Sequence, residues 1–160
     1  DSGEKTLDDV PEEMRPDVAA YVAKMAELGL RRVEAETFVI NDEVKAGGSF
    51  DGIYAYADKP NGVVGDVKTG SLYWLSVSIQ LAIYAHGTRY NPARGGREPE
   101  SLADLGVDQS MGIVIHVPKG QGICEVHKVD LTIGWEMAQR AIQLRSWRNV
   151  KPNLGPFSLT

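Results

Sequence analysis

A chain of 160 residues, 42% of them hydrophobic, has material for one domain with its own core and is too apolar for disorder. Seventeen Lys and Arg against 22 Asp and Glu leave a net charge of −5, which argues against a surface that wraps nucleic acid on all sides and confines such contacts to local basic groups or bound cations. One cysteine, Cys124, excludes an internal disulfide framework and any four-cysteine metal site, and no apolar run reaches the ~18 residues of a membrane span.

The opening DSGEKTLDDV is polar, with no signal-peptide character and no initiating Met, so a trimmed piece of a longer intracellular protein is expected. RPDVAAYVAKMAELGL sets Val18, Tyr21, Val22, Met25 and Leu28 at helical spacing, with Pro16 near the start and Gly29 as the stop. RRVEAETFVI alternates as a strand with neither face wholly apolar, and NDEVKAGG turns the chain into a second strand, SFDGIYAYA. DKPNGV is a hairpin signal before the third strand, VVGDVKTG. LYWLSVSIQLAIYAHGTRY has no Gly or Pro before Gly87 and predicts a helix over about 72–87. Residues 91–109, NPARGGREPESLADLGVDQ, read as a loop with a short helical turn at PESLADLG. MGIVIHVPKGQGICEVHKVDL reads as two strands hairpinned around PKGQG, and TIGWEMAQRAIQLRSWRNV as a last helix before an irregular tail with Pro152 and Gly155. Cys124, on an apolar alternating strand, is expected as a small buried hydrophobe. The order helix, three strands, helix, two strands, helix predicts a single α/β domain over 1–160 with a central mixed sheet.

VVGDVKTG holds an acid and a base, Asp66 and Lys68, two positions apart and therefore on one face of the third strand. Asp51, in GGSFDG, lies across the hairpin, and antiparallel neighbours are only ~5 Å apart, so the two carboxylates are placed to converge. Like charges at that distance need something positive between them, and Mg²⁺ takes oxygen ligands of this kind. Lys68 is placed to orient or help deprotonate a water, and Glu36, one strand earlier, supplies a third acid, with Glu34 two residues away as its rival. Taken alone, D-x-K on a strand also reads as a solvated face with a weak ion pair.

Gln80 and Tyr84 share one helix face four residues apart, suited to phosphate or water, or else to a polar boundary and a core hydroxyl. Arg89, Arg94 and Arg97 gather after that helix, as phosphate contacts or as ordinary solvated charge; the same pair of readings covers Arg140, Arg145, Arg148 and Lys151 near the C-terminus. His86 follows the helix near Arg89, within reach of substrate. His116 and His127 read as ordinary half-buried strand residues without metal-ligand spacing.

Taken together and in this order, GSFDG, GDVKTG and QLAIY, after a strand bearing Glu36, resemble the PD-(D/E)XK nuclease superfamily, nearest to its RecB-like branch of CRISPR-associated exonucleases and their phage relatives. The family pattern is matched by Glu36, by Gly48 and Asp51, by Asp66, Lys68, Thr69 and Gly70, and by Gln80 and Tyr84, over residues 30–86. The resemblance implies a restriction-endonuclease-like αβββαβ core whose mixed sheet is flanked by helices. It implies one or two Mg²⁺ or Mn²⁺ ions on Asp51, Asp66 and the main-chain carbonyl of Val67, with Lys68 positioning the attacking water and Gln80 and Tyr84 contacting the substrate backbone or supporting the site.

The implied activity is hydrolysis of DNA phosphodiesters, exonucleolytic on ends or single strands, in recombination, repair or phage DNA metabolism. DNA is the expected partner, bound without base preference, in the cytoplasm of a bacterial or phage-infected cell and within a larger polypeptide or recombination complex; no membrane is involved. A non-catalytic DNA-binding or scaffold module of the same fold, and a structure-selective endonuclease, are the alternatives. Members of the branch carry a G-T-x-x-H motif on an upstream helix. This chain has no His before His86, and the motif is expected in the preceding part of a longer protein. Relatives with an iron–sulfur cluster use four cysteines, so none is expected here.

Overall fold

Pro16 costs the first turn of α1 (Arg15–Glu27) nothing, since its missing N–H would have no partner there, and Gly29 at φ 61° ends the helix, with the Leu30 N–H returning to the Met25 carbonyl. The computed structural model describes residues 7–148 and Val150. The tail expected around Pro152 and Gly155, Lys151, and the first residues of the acidic leader lie outside the described residues. Asp17, buried in the first turn of α1, accepts hydrogen bonds from the main-chain N–H groups of Gly120 and Gly122, both at 2.7 Å. The Gly120 bond first, then that of Gly122, holds its carboxyl below the usual range. The helix is thereby tied to a loop more than a hundred residues downstream.

β1 (Arg31–Asn41), β2 (Ala46–Tyr56) and β3 (Lys59–Lys68) form the expected antiparallel meander, with tighter turns than the sequence suggests. Asn41 Oδ1 accepts from the N–H groups of Glu43 and Val44, closing the first turn within residues 42–45. The β2–β3 turn is Ala57–Asp58 rather than the Asn61–Gly62 pair, which lies inside β3. There Gly62, at φ 88°, packs its bare Cα against Ile53, where any Cβ would collide.

α2 (Trp74–Ala85) is the expected second helix, trimmed at both ends. Residues 91–109 are not a plain loop. β4 (Thr88–Asn91) and β5 (Gly96–Ser101) form a short hairpin around left-handed Gly95 and add to the free edge of β1. The helical turn expected at PESLADLG is a turn at 102–106, closed by hydrogen bonds between Ser101 and Asp104, with Leu102 fully buried.

β6 (Asp108–His116) and β7 (Glu125–Asp130) are the expected hairpin, and α3 (Leu131–Trp147) follows at once, capped by Asp130 through the Thr132 N–H. Cys124 is buried as expected, just ahead of β7. Strand order is β5-β4-β1-β2-β3-β6-β7, antiparallel throughout except β3–β6, so the described residues form an α/β fold with a mixed seven-stranded sheet and three α-helices.

The sheet carries a core on each face. Val39, Phe50, Ile53, Val64, Val114 and Val129 pack with Leu81 of α2 and Leu131 of α3, while Tyr54, Val63, Ile113 and Ile115 pack with Met25 of α1. None of the described helices is long and apolar enough to cross a membrane.

Asp108 pins the start of β6. Burial pushes its carboxyl up, but the Lys59 ammonium, the Ser110 hydroxyl and the N–H groups of Ser110 and Met111 win and hold it at about 2. An unfolded Asp titrates near ~3.9, so the stability this group contributes is complete above about pH 4 and is lost as pH falls toward 2. Lys59 is more than a third exposed, which limits the contribution to about 1 kcal/mol. Melting temperatures taken down to pH ~2.5 are expected to show a shallower acid loss for Asp108→Asn than for the parent.

Candidate active site

The register that pairs Gly52 with Gly65 and Ile53 with Val64 sets Asp51 across from Asp66 at the point where β2 and β3 begin to part. Beyond that point the β3 ladder continues through a side chain. Asp51 Oδ2 accepts the Val67 N–H at 2.6 Å, so the second-strand acid fills a place the β2 backbone leaves vacant. Strict alternation fails in β2 here, because Phe50 and Ile53, three apart, both enter the core under α2.

Across from Asp51 on β1 stands Glu36, with φ 30°, a left-handed conformation rare for a residue with a Cβ and concentrated at functional sites. Gly52 lets β1 approach closely: a Cβ there would lie 2.5 Å from the Glu34 carbonyl oxygen.

Asp66 is 6% exposed. Its Oδ2 touches the Lys68 ammonium, but without the direction of a hydrogen bond, and it is buried with no hydrogen-bond partner. Burial raises the Asp66 pKa; Lys68 pulls it down without cancelling that, and the adjoining Asp51 carboxylate pushes it further up. Lys68 Nζ also donates to Gln80 Oε1 at 3.4 Å, and Gln80 Nε2 donates to Tyr84 Oη at 3.0 Å. The Tyr84 ring stacks on Phe50 at 5.6 Å, with its hydroxyl over Gly48, where a Cβ would sit 2.9 Å from Oη. Asp51, Asp66, Lys68, Gln80, Tyr84 and Gly48 therefore form one connected cluster between the meander and α2. A shallow groove of about 330 Å³, lined by Gly47, Ser76, Gln80 and Tyr84 among others, opens beside it.

Two facing carboxylates, one of them buried and answered by a single lysine that does not cancel its burial, fit a hard divalent cation, which takes oxygen ligands and removes the repulsion. Glu36 is exposed and forms no hydrogen bond or ion pair with any described residue. The other first-strand acid, Glu34, is engaged elsewhere. It accepts Arg89 Nε at 2.8 Å, pairs with Arg89 Nη2, and accepts the Thr37 hydroxyl at 2.6 Å.

Thr69 and Gly70 follow β3 into a loop shared with the end of β6: the Thr69 carbonyl accepts the Lys119 N–H at 3.3 Å, and His116 Nε2 lies 3.0 Å from the Gly70 carbonyl oxygen.

The arginines do not gather at this cluster. Arg89 is bound to Glu34, Arg97 pairs with Asp42, and exposed Arg94 lies 3.8 Å from Glu98. β5, which carries Arg97, is four strands from β3, roughly 19 Å at about 4.8 Å per strand. His86 is also away from it, stacked face to face on Trp135 at 4.0 Å; burial holds its pKa down, against the pull of Glu43.

Two residues that the sequence reading passed over seat α2. Ser78 Oγ donates to the Asp130 carbonyl at 2.5 Å, and Gly134 of α3 lies directly against the Ser78 main chain. The only signals for them are small residues on helices that meet, which pattern alone does not pair.

Compared with known proteins, the chain matches no family model and no curated protein.

Proposed function

We propose that this chain is a metal-dependent DNA nuclease of the PD-(D/E)XK type, in the RecB-like manner, hydrolysing phosphodiester bonds at DNA ends or in single strands. The observation that carries the reading is the buried Asp66 carboxylate facing Asp51, with the Lys68 ammonium on Asp66 and restrained by Gln80. A divalent cation, Mg²⁺ or Mn²⁺, on Asp51, Asp66 and the Val67 carbonyl supplies Lewis-acid activation of phosphate and water when bound. Lys68 orients the water and offsets charge developing on the phosphate oxygens, a contribution that needs the ammonium fixed in advance. Gln80 and Tyr84 fix it: the helix amide holds Nζ, and the stacked phenol holds the amide. Glu36, unpaired and across from Asp51, supports the site from β1. The oxygen of water bonds to phosphorus as that water releases one proton to solvent, the ester P–O bond breaks, and the leaving oxygen takes up a proton from solvent.

Phosphate contacts along the strand fall to unpaired basic groups, among them exposed Arg145 near the end of α3 and Arg148 just after it, rather than to Arg89 and Arg97, whose charges are already answered. Mn²⁺-dependent degradation of end-labelled linear DNA by the full-length protein tests the reading, with Asp51→Ala and Lys68→Ala each expected to lower the rate about 10²–10³-fold. Undiminished cleavage in both variants would remove the mechanism. A circular single strand left intact assigns an exonuclease, and one that is cut an endonuclease. DNA retained without turnover under every metal identifies a non-catalytic binding module.

A further inference from the structure

We propose that His116, Glu125 and His127 form a second cation site, for Zn²⁺ or a similar borderline transition metal, distinct from the Asp51–Asp66 pair. The β6–β7 register pairs His116 with Glu125 and Val114 with His127, so the three side chains share one face of the hairpin. One ligand atom from each lies within 4.8 Å of the other two. His127 Nε2 is 3.1 Å from Glu125 Oε2, and the Trp74 ring stands edge-on to the His127 imidazole at 5.1 Å, which limits its rotation. The Gly70 carbonyl beside His116 Nε2 fixes that ring's tautomer, the service an outer carbonyl gives a metal-bound imidazole.

Two imidazole nitrogens and one carboxylate are the donor set of a zinc centre that keeps a position open; the all-oxygen Asp51–Asp66 pair suits a harder ion. The open side faces a cleft of about 540 Å³ lined by Thr69, Ser71 and Lys119 among others, so a water or a phosphate oxygen takes the fourth place. Because β3 and β6 run parallel with Lys68 beside His116, this second cation sits only one or two strand spacings, roughly 5–10 Å, from the Lys68 backbone.

Equilibrium dialysis of the full-length protein against Zn²⁺ in excess Mg²⁺ is expected to show one equivalent bound, retained in Asp66→Asn and weakened more than about tenfold in His116→Ala and in His127→Ala. No Zn²⁺ bound by the parent, binding as tight as the parent's in either histidine variant, or loss of the equivalent in Asp66→Asn overturns the proposal. A measurement on the parent guards against variants that fail to fold. The chain as given holds three histidines, and Zn²⁺ is expected to shift the ring ¹⁵N resonances of His116 and His127 and leave that of His86 in place. Movement of neither of those two overturns the site. All these readouts are independent of DNA cleavage, so the site stands or falls separately from the nuclease reading.

Discussion

Asp66→Asn is expected to make the metal-free protein more stable and at the same time to abolish its metal-dependent cleavage. In the fold the Asp66 carboxyl has its pKa raised, by burial first and then by Asp51 against the opposing pull of Lys68. An acid whose folded pKa lies above its unfolded value destabilises the fold wherever it is ionised in both states, so the penalty is complete at neutral pH and vanishes in acid. The amide introduced by Asp66→Asn carries no charge and brings an N–H that the Asp51 carboxylate is placed to accept. Removing a buried charge whose desolvation outweighs its pairing with Lys68 is worth about 1 kcal/mol, or ~3 °C in melting temperature for a chain of this size.

Divalent metal reverses the order. At a concentration a hundredfold above its dissociation constant, a cation that binds only the folded parent adds ~2.7 kcal/mol, and the variant, with one of two carboxylates gone, gains little. Scanning calorimetry of both proteins, first in chelator and then in Mg²⁺, checks this. A variant less stable than the parent in chelator would mean that Lys68 already satisfies Asp66, leaving the pair no demand for a cation.

What was legible in the sequence is what short-range geometry settles. D-x-K fixes Asp66 and Lys68 on one face by strand pitch alone, and a hairpin brings Asp51 across because the meander leaves it nowhere else to go. The helix over 72–87 narrows only to Trp74–Ala85, since helical spacing persists past the point where caps end it. The β4–β5 hairpin escaped the pattern because its strands are short, lie at the sheet edge and expose both faces, so no apolar alternation marks them.

The Arg89–Glu34 pair, 55 residues apart, answers a charge that composition alone leaves available for phosphate. His116 and Glu125 pair across an eight-residue loop that Asp17 on α1 holds through the N–H groups of Gly120 and Gly122. No spacing rule within β6 or β7 carries that information, so the histidines read as unrelated. Glu36 was identified as an acid of the first strand, but its left-handed backbone has no counterpart in residue type, because Gly or Asn would mark such a position.

Gly134→Ala is expected to destabilise the protein by about 3 kcal/mol, although the same change in an exposed helix gains about 1 kcal/mol from propensity. The added Cβ would lie 2.2 Å from the Ser78 carbonyl oxygen, 2.4 Å from its carbon and 2.5 Å from Oγ, so α2 and α3 must separate. Separation opens the layer in which Leu81 and Ala138 are buried and stretches the Ser78 bond to the Asp130 carbonyl at the head of α3. A fall of ~9 °C in melting temperature follows for a chain of this length.

The same displacement carries Gln80, two residues along α2 from Ser78, away from the Lys68 ammonium, so cleavage per folded molecule is expected to fall as well. Adding Ser78→Gly to Gly134→Ala is expected to restore little, because the two shortest contacts are with main-chain atoms that every residue has. Recovery in that double variant would place the collision on the Ser78 hydroxyl, and α2 would then be held off α3 by a side chain that is free to turn.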